Sequence, residues 1–332
     1  MKDILKNSFN ENDISKLVIE YSLNYDDIQE LKYALKNAKQ TKKDLTYLQI
    51  TDFPIPKLSS KILKFSEELE NGLGIVKINK LPINEFSFDE IKVIFWGLGI
   101  YLGTPVSQSN TRQHMMSIKD LGEKLEGGKG RGPTTKAKLD LHTDTCDVVG
   151  LLCCHKAKHG GETSLASSIQ AYHYISQNRP DLLDVLLKPF PYTRPNWDKQ
   201  SYNNYSERPI FAKENGKLIC QYIRPFIENK YNVDDNHSMS KLSHKQIEAM
   251  DYLDDVLNKL SWKFLLQPGE ILFINNFTIL HARSAFEDYI QENKKRLLLR
   301  LWLSMPNSRK LPESYITQYG RTAAGVLRGG IY

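Results

Sequence analysis

At 332 residues, with 40% hydrophobic and 25% charged residues, the chain has the composition of an ordinary globular protein. Its net charge of +6 comes from lysines and arginines dispersed among 39 acidic residues, which argues against a nucleic-acid partner. No apolar run approaches the roughly eighteen residues of a membrane-spanning helix, and charges interrupt the N-terminus where a signal peptide would be apolar. We therefore expect no membrane partner and a cytoplasmic location.

The first 72 residues are predicted to form a helical extension that packs on the rest of the chain. Apolar residues recur three or four positions apart, as in amphipathic helices, over residues 5–23, 25–39 and 56–72. Asp26 and Ser59 are expected to cap the second and third helices, and Gly72 to end the third. Residues 73–332 are then the main domain, and we expect the two parts to form one integrated unit.

The main domain is predicted to be mainly β with inserted helices. Strands or hairpins are expected over residues 74–80, 148–154, 209–224, 262–286 and 296–304, and helices over residues 88–102, 167–178, 180–188 and 243–259. Glycine and lysine dominate residues 122–132, which predicts a mobile loop. The pattern favours a β-sandwich or barrel over a doubly wound α/β sheet, because no glycine-rich phosphate loop follows a strand.

His142 and Asp144 are the first candidate metal ligands. If residues 142–149 are extended, alternate side chains share a face, so these two can hold one ion between them. A third ligand must come from elsewhere, and His281 closes the apolar run 271–283 where a strand would leave the core. Two histidines, one carboxylate and open coordination positions form the facial triad of non-haem Fe(II) oxygenases, with zinc as the competing metal.

A zinc site of different composition is the competing hypothesis for the same stretch. Its candidate ligands are Cys146, Cys153, Cys154, His155 and His159. Adjacent residues on a strand face opposite ways and no CxxC pair is present, so we disfavour this site. All four cysteines, the fourth being Cys220, are predicted to be free thiols.

Arg296 and Arg300 are candidate anion ligands on the last predicted strand. Their spacing puts both on one face with Leu298 and Trp302. A buried arginine needs an anion, which can be an acidic residue of the protein itself. Two such arginines on one face favour at least one carboxylate from a ligand, held by the bidentate geometry of guanidinium.

Four motifs together carry a family resemblance. HTD at 142–144, GGET at 160–163, LH at 280–281 and KRLLLR at 295–300 resemble the TauD/TfdA-like Fe(II)/2-oxoglutarate-dependent dioxygenases, which include clavaminate-synthase-like members. The resemblance covers roughly residues 103–304 and implies a double-stranded β-helix, or jelly-roll, core. It implies three groups of site residues: iron ligands His142, Asp144 and His281; 2-oxoglutarate contacts Arg296 and Thr163; and, for an anionic group of the substrate, Arg300.

The implied reaction uses Fe(II), 2-oxoglutarate and O2, and yields succinate and CO2 while oxidising a C–H bond of a small amino-acid- or carboxylate-like substrate. Hydroxylation, desaturation and cyclisation would need the same residues. Arg283 should share a face with His281 and could contact substrate or cosubstrate, or pair with Glu287 or Asp288. Three further polar residues, Gln108, Arg131 and Arg224, could line the substrate pocket, although surface positions are the stronger expectation for each.

Two other functions stay open on the sequence alone. One is a jelly-roll binding protein that has kept the site without turnover, and the other is a zinc or cupin-type enzyme that does not use O2. The sequence also leaves open whether the chain forms a homo-oligomer.

Overall fold

The computed structural model of the chain describes residues 18–124, 131–193, 205–229 and 242–331. Its α-helices are α1 (Tyr25–Thr41), α2 (Pro56–Asn71), α3 (Phe88–Leu102), α4 (Ser168–Asn178), α5 (Pro180–Leu186), α6 (Arg224–Ile227), α7 (His244–Lys259) and α8 (Ile316–Tyr319). Within the described ranges, no helix is both long and apolar enough to cross a membrane.

The strands are short, with two exceptions of eight residues. In chain order they are β1 (Ile19–Ser22), β2 (Ile75–Asn79), β3 (Thr104–Pro105), β4 (Met115–Ile118), β5 (Leu139–His142), β6 (Val148–His155), β7 (His159–Gly160), β8 (Thr163–Ser167), β9 (Pro189–Thr193), β10 (Tyr205–Pro209), β11 (Phe211–Glu214), β12 (Lys217–Cys220), β13 (Trp262–Phe264), β14 (Ile271–Asn275), β15 (Ile279–Arg283), β16 (Phe286–Glu287) and β17 (Leu297–Ser304).

Two sheets face each other and form the centre of the molecule. The larger has seven strands in the order β1-β2-β14-β6-β17-β3, with β4 also paired to β17. The smaller has four antiparallel strands in the order β13-β8-β15-β5. Residues of both sheets share one apolar core, including Leu151 and Leu298 of the larger sheet and Leu165 and Ile279 of the smaller. This is the two-sheet arrangement expected of a jelly-roll.

Helices cover the outer face of each sheet. Apolar residues of α1, α2 and α3 pack with outward-facing residues of β6, β14 and β17, such as Leu152, Phe273 and Leu301. On the other side, α4, α5 and α7 pack on the smaller sheet through Leu141 and Leu280. Because helices lie on the outer face of each sheet, the long strands β6 and β17 of the larger sheet are buried on both sides along most of their length.

The N-terminal region differs from the prediction in two places. Of the first predicted helix, residues 5–17 lie outside the described ranges, and Ile19–Ser22 is a strand that pairs in parallel with β2. Ser59 lies inside α2, whose first residue is Pro56, so it does not cap that helix. Asp26 lies in the first turn of α1, but the capping side chain is Asn24. The predicted boundary between residues 1–72 and 73–332 stays a prediction.

Two predicted continuous strands are each broken into two. The run 271–283 turns at Asn276 and Thr278, so its halves, β14 and β15, belong to different sheets. Residues 142–149 likewise bend after His142, and β5 and β6 lie in different sheets. Neither run contains a glycine or a proline to mark its turn, and most of the polar residues at the two turns are buried. The predicted hairpin at Asn215 is present, as β11 and β12.

Candidate active site

His142, Asp144 and His281 form a compact cluster between the two sheets. One ligand atom from each lies within 4.8 Å of the others, and the described residues contain no second group of three or more such side chains. Strand pairing explains the two histidines, because His281 of β15 lies directly opposite His142 of β5, with ring centroids 4.4 Å apart. Asp144 follows β5, where the chain crosses to the larger sheet.

The geometry and protonation of the cluster fit a divalent metal. His142 Nδ1 lies 2.7 Å from the Asp140 carbonyl oxygen, so a neutral ring donates there and keeps its Nε2 lone pair for a ligand. Burial, together with the neighbouring His142, lowers the pKa of His281 to about 3, so this ring is neutral as metal ligation requires. The Nε2 atoms lie 3.9 and 3.8 Å from the Asp144 carboxylate, too far for hydrogen bonds. A shared ion with bonds of about 2 Å can span such gaps.

The Asp144 carboxylate is held by two side chains of β17. Trp302 Nε1 donates to its Oδ2 at 2.8 Å, and Arg300 Nη1 donates to the same oxygen at 3.1 Å. Burial alone would raise the pKa of Asp144, but the positive charge of Arg300 is the largest of the opposing contributions, which together lower this pKa. The carboxylate is therefore ionised and oriented.

Asn276 fixes the backbone around Asp144. Its Oδ1 accepts a hydrogen bond from the Asp144 amide at 2.9 Å, and its Nδ2 donates to the carbonyl oxygens of Asp144 and Cys146. Asn276 directly follows β14, and asparagines at strand ends often satisfy backbone groups in this way. The backbone it satisfies is that of a metal-ligand candidate 132 residues away in the chain.

Arg296 and Thr163 lie where an anion could bind. Both line a cavity of about 250 Å³ that also contains the three-residue cluster. Arg296 is 4% exposed, and its buried Nη1 has no hydrogen-bond partner among the described residues. Burial lowers the pKa of Arg296 to about 10, which leaves the group charged at neutral pH. Gly161 covers it closely, because a Cβ there would lie 3.1 Å from Arg296 Nε.

Arg300 lines the same cavity but is partly engaged within the protein. Its Nε donates to Gln108 Oε1 at 2.7 Å, and Gln108 Nε2 donates to the Arg300 carbonyl oxygen at 2.9 Å. Its Nη2 faces the sulfur of Met116 at 3.8 Å, a weak acceptor that leaves donor capacity. The expected surface position of Gln108 is wrong, because the side chain is fully buried beside Arg300. Arg131 and Arg224 are half-buried and line the cavity.

Arg283 also lines the cavity, and neither of the predicted ion pairs forms. Its Nη2 donates to the backbone carbonyls of Thr135 and Ala137, while Glu287 pairs with Lys158. Burial, and then the nearby positive charge of Arg296, lowers the pKa of Arg283 to about 9.

The competing cysteine-based zinc site is absent from the described residues. All four cysteines are free and buried, as predicted. Burial raises the pKa of Cys153 and Cys154 to about 12, so neither is the thiolate that zinc requires. His155 and His159 are exposed near strand ends and belong to no metal-binding group.

Comparison with known proteins gives a consistent result. The sequence model of the taurine catabolism dioxygenase TauD, TfdA family matches residues 40–302. FR-33289 synthase from Streptomyces rubellomurinus is 30% identical over 288 residues, covering 82% of this chain and 81% of that protein. The cluster, the cavity and Arg296 all involve residues inside the matched range.

Two solved structures share the fold at low sequence identity. Asparagine oxygenase in complex with Fe(II), 3-hydroxyasparagine and succinate has a TM-score of 0.68 at 15% identity, covering 86% of this chain and 93% of that one. The non-haem iron oxygenase OrfP with Fe and α-ketoglutaric acid has a TM-score of 0.65 at 14% identity, with coverage of 93% and 99%. These matches confirm the predicted jelly-roll fold.

Proposed function

The chain belongs to the taurine catabolism dioxygenase TauD, TfdA family, and we propose that it oxidises a C–H bond of a small amino-acid- or carboxylate-like substrate. Membership confirms the family resemblance of the four motifs and the predicted enzyme class, an Fe(II)/2-oxoglutarate-dependent dioxygenase. One observation carries the proposal. A two-histidine, one-carboxylate cluster shares a cavity with Arg296, a buried arginine that has no acidic partner among the residues the structure describes.

The proposed roles follow from the position of each side chain. His142, Asp144 and His281 would hold Fe(II), which when bound supplies O2 activation coupled to decarboxylation of 2-oxoglutarate. Arg296 would bind the distal carboxylate of 2-oxoglutarate through its free Nη1, with the Thr163 hydroxyl beside it. Because the protein would supply three ligands, the remaining coordination positions would be left for the cosubstrate and O2.

The overall reaction balances without a further reductant. One oxygen atom of O2 enters succinate as 2-oxoglutarate loses CO2, and the other enters the substrate, which exchanges a C–H for a C–OH bond. Desaturation or ring closure would instead release the second oxygen atom as water. Hydroxylation is the outcome we propose, since it needs no further constraint on the pose of the substrate.

The lining of the cavity supports a small substrate that carries both charges. Side chains of both signs line it, including Arg131 and the ion pairs Lys138–Asp140 and Arg224–Asp254, each at 2.7 Å. Arg300 Nη2 could receive a substrate carboxylate near the metal cluster. The structurally similar asparagine oxygenase holds a hydroxylated amino acid together with succinate, which is consistent with a substrate of this kind.

The decisive experiment measures cosubstrate turnover. Purified protein with Fe(II) and 2-oxoglutarate, without oxygen, should develop a weak visible charge-transfer band. On admission of oxygen with amino acids and small organic acids, one substrate class should stimulate oxygen consumption and succinate formation. His142→Ala should abolish both signals, whereas the matched control His155→Ala, an exposed histidine outside the cluster, should keep them.

The other two functions predict different results. A silent binding protein would bind 2-oxoglutarate with iron but form no succinate with any substrate. A zinc or cupin-type enzyme would purify with zinc and act without oxygen. Either pattern would contradict the proposal.

A further inference from the structure

Arg283 is a second buried arginine that forms no ion pair with any acidic side chain of the described residues. The side chain is 6% exposed, and its Nη2 donates to the Thr135 and Ala137 carbonyl oxygens. Its Nε and Nη1 are buried without a hydrogen-bond partner among the described residues. Two neutral carbonyls satisfy one nitrogen, but they do not neutralise a guanidinium, so the other two nitrogens are positioned for an anion.

Arg283 and Arg296 both line the cavity, and both contact the ring of Phe286. The two guanidinium carbons lie 4.9 and 5.0 Å from the ring centroid of Phe286. Thr163 is the cross-strand partner of Arg283 in the β15–β8 pairing, so the two side chains emerge from neighbouring positions of the sheet. An anion bound between Thr163 and the two arginines would offset two buried positive charges.

Arg283 also holds one wall of the cavity in place. Residues 131–138 line the cavity through Arg131, Gly132, Pro133 and Lys138, and they lead directly into β5, which ends at His142. Three hydrogen bonds attach this segment to the chain around β15 and β16. Two come from Arg283 Nη2, and the third runs from the Phe286 amide to the Lys136 carbonyl oxygen at 3.1 Å.

We propose that Arg283 is a positioning residue that binds the distal carboxylate of 2-oxoglutarate with Arg296 and thereby couples cosubstrate binding to the position of residues 131–138. The identity of the anion rests on the proposed function, whereas the coupling rests on the contacts of Arg283. Arg283 would then donate from Nε and Nη1 to the carboxylate, while its Nη2 donates to the carbonyl oxygens of Thr135 and Ala137. The substrate cavity would reach its final shape after the cosubstrate has bound.

The first test measures the affinity for 2-oxoglutarate by calorimetry, using the full chain loaded with Fe(II) under anaerobic conditions. Loss of charge-assisted hydrogen bonds should weaken binding about tenfold or more in Arg283→Met, and less in Arg283→Lys, which keeps the charge. The control is Arg309→Lys, a buried arginine paired with Glu70 at 3.0 Å away from the cavity. It should bind 2-oxoglutarate within about twofold of wild type.

The second test measures hydrogen exchange of peptides that cover residues 131–141, with and without saturating 2-oxoglutarate. In wild type and Arg309→Lys, the ligand should slow exchange in this segment. In Arg283→Lys the slowing should disappear even at saturation, because an ammonium cannot bridge the anion and both carbonyls. A merely structural role would change exchange equally in both conditions. Arg283 variants with wild-type affinity and wild-type ligand-dependent slowing would overturn the proposal.

Glutarate keeps failure of this inference separate from failure of the proposed function. It carries the distal carboxylate but lacks the keto group that 2-oxoglutarate offers to the metal. If glutarate binds in an Arg283-dependent way while no 2-oxoglutarate turnover occurs, only the proposed function fails. If neither acid binds the wild-type protein, both fail.

Discussion

The two facing sheets contribute different chemistry to one cavity. The four-stranded sheet supplies His142, His281 and Thr163 from strands of four or five residues, and the histidines meet because their strands pair in register. The seven-stranded sheet supplies Arg300 and Trp302 from the eight-residue strand β17, with Arg296 immediately before it. Cross-strand pairing therefore brings the two histidines of the three-residue cluster together, whereas alternation along one long strand places the arginines and Trp302 on the opposite side of the cavity.

Asp144 belongs to neither sheet, and it lies between the histidines of the smaller sheet and the β17 side chains of the larger sheet. It lies where the chain passes from β5 to β6, and Asn276 lies where the chain passes back from β14 to β15. The hydrogen bonds of Asn276 tie these two crossings together. The same contacts that set one sheet over the other therefore place the carboxylate between the histidines and β17.

Removing a histidine of the smaller sheet should have the largest effect. His281→Ala should lose bound iron and reduce succinate formation by more than about 100-fold, because even outer partners of metal ligands are worth about 10–100-fold. Iron content by elemental analysis and succinate by chromatography measure the two effects. His155→Ala, which removes an exposed histidine at the end of β6, should retain both. Full iron content in His281→Ala would mean that the cluster does not bind the metal.

Replacing Arg296, which lines the cavity on the side of the larger sheet, should reduce cosubstrate binding without reducing iron binding. Arg296→Met should weaken 2-oxoglutarate binding by about 10–100-fold, since a buried charge-assisted hydrogen bond contributes about 1.5–3 kcal/mol. Iron content should stay at the wild-type level, because Arg296 does not contact the cluster. Titration of 2-oxoglutarate against the anaerobic iron protein measures the effect. An affinity that falls instead in Arg300→Met alone would transfer the cosubstrate role to Arg300.

Removing the hydrogen bond between Trp302 and Asp144 should have a smaller effect, and it tests whether β17 orients this carboxylate. Trp302→Phe keeps most of the ring and removes the Nε1–H that donates to Asp144 Oδ2 at 2.8 Å. We expect a roughly tenfold loss of iron affinity, within the range for a partner of a metal ligand, and little loss of stability. Competition with a chelator measures the affinity and thermal unfolding measures the stability. Equal iron affinity in both proteins would show that Arg300 alone suffices to orient the carboxylate.

Sequence reasoning succeeded where local periodicity decides the structure. Alternation on residues 296–304 correctly put Arg296, Leu298, Arg300 and Trp302 on one face, and that face lines the cavity. Apolar spacing likewise located most helices, including Phe88–Leu102 at both of its ends. These features depend only on residues that are near one another in the chain.

Contacts between distant segments could not be predicted in the same way. Gln108 bonds Arg300 across 192 positions, and Asn276 bonds the Asp144 backbone across 132. The turn over residues 276–278 contains neither glycine nor proline, so residues 271–283 were predicted as one strand. His142 and Asp144 lie close together as predicted, but strand alternation is not the reason, because β5 ends at His142. Hydrogen bonds from Asn276 to the segment between β5 and β6 hold Asp144 in place.

The smallest effect is expected for the thiols of β6, a central strand of the larger sheet. Cys153 packs between the two sheets and Cys154 packs under the helices, and burial raises the pKa of each to about 12. At about pH 8 both remain thiols, and a thiol is far less nucleophilic than a thiolate. Native protein should therefore react negligibly with a thiol reagent over minutes, whereas unfolded protein should react at all four cysteines. Rapid modification of the native chain would show that β6, although central to the larger sheet, opens more readily than its burial implies.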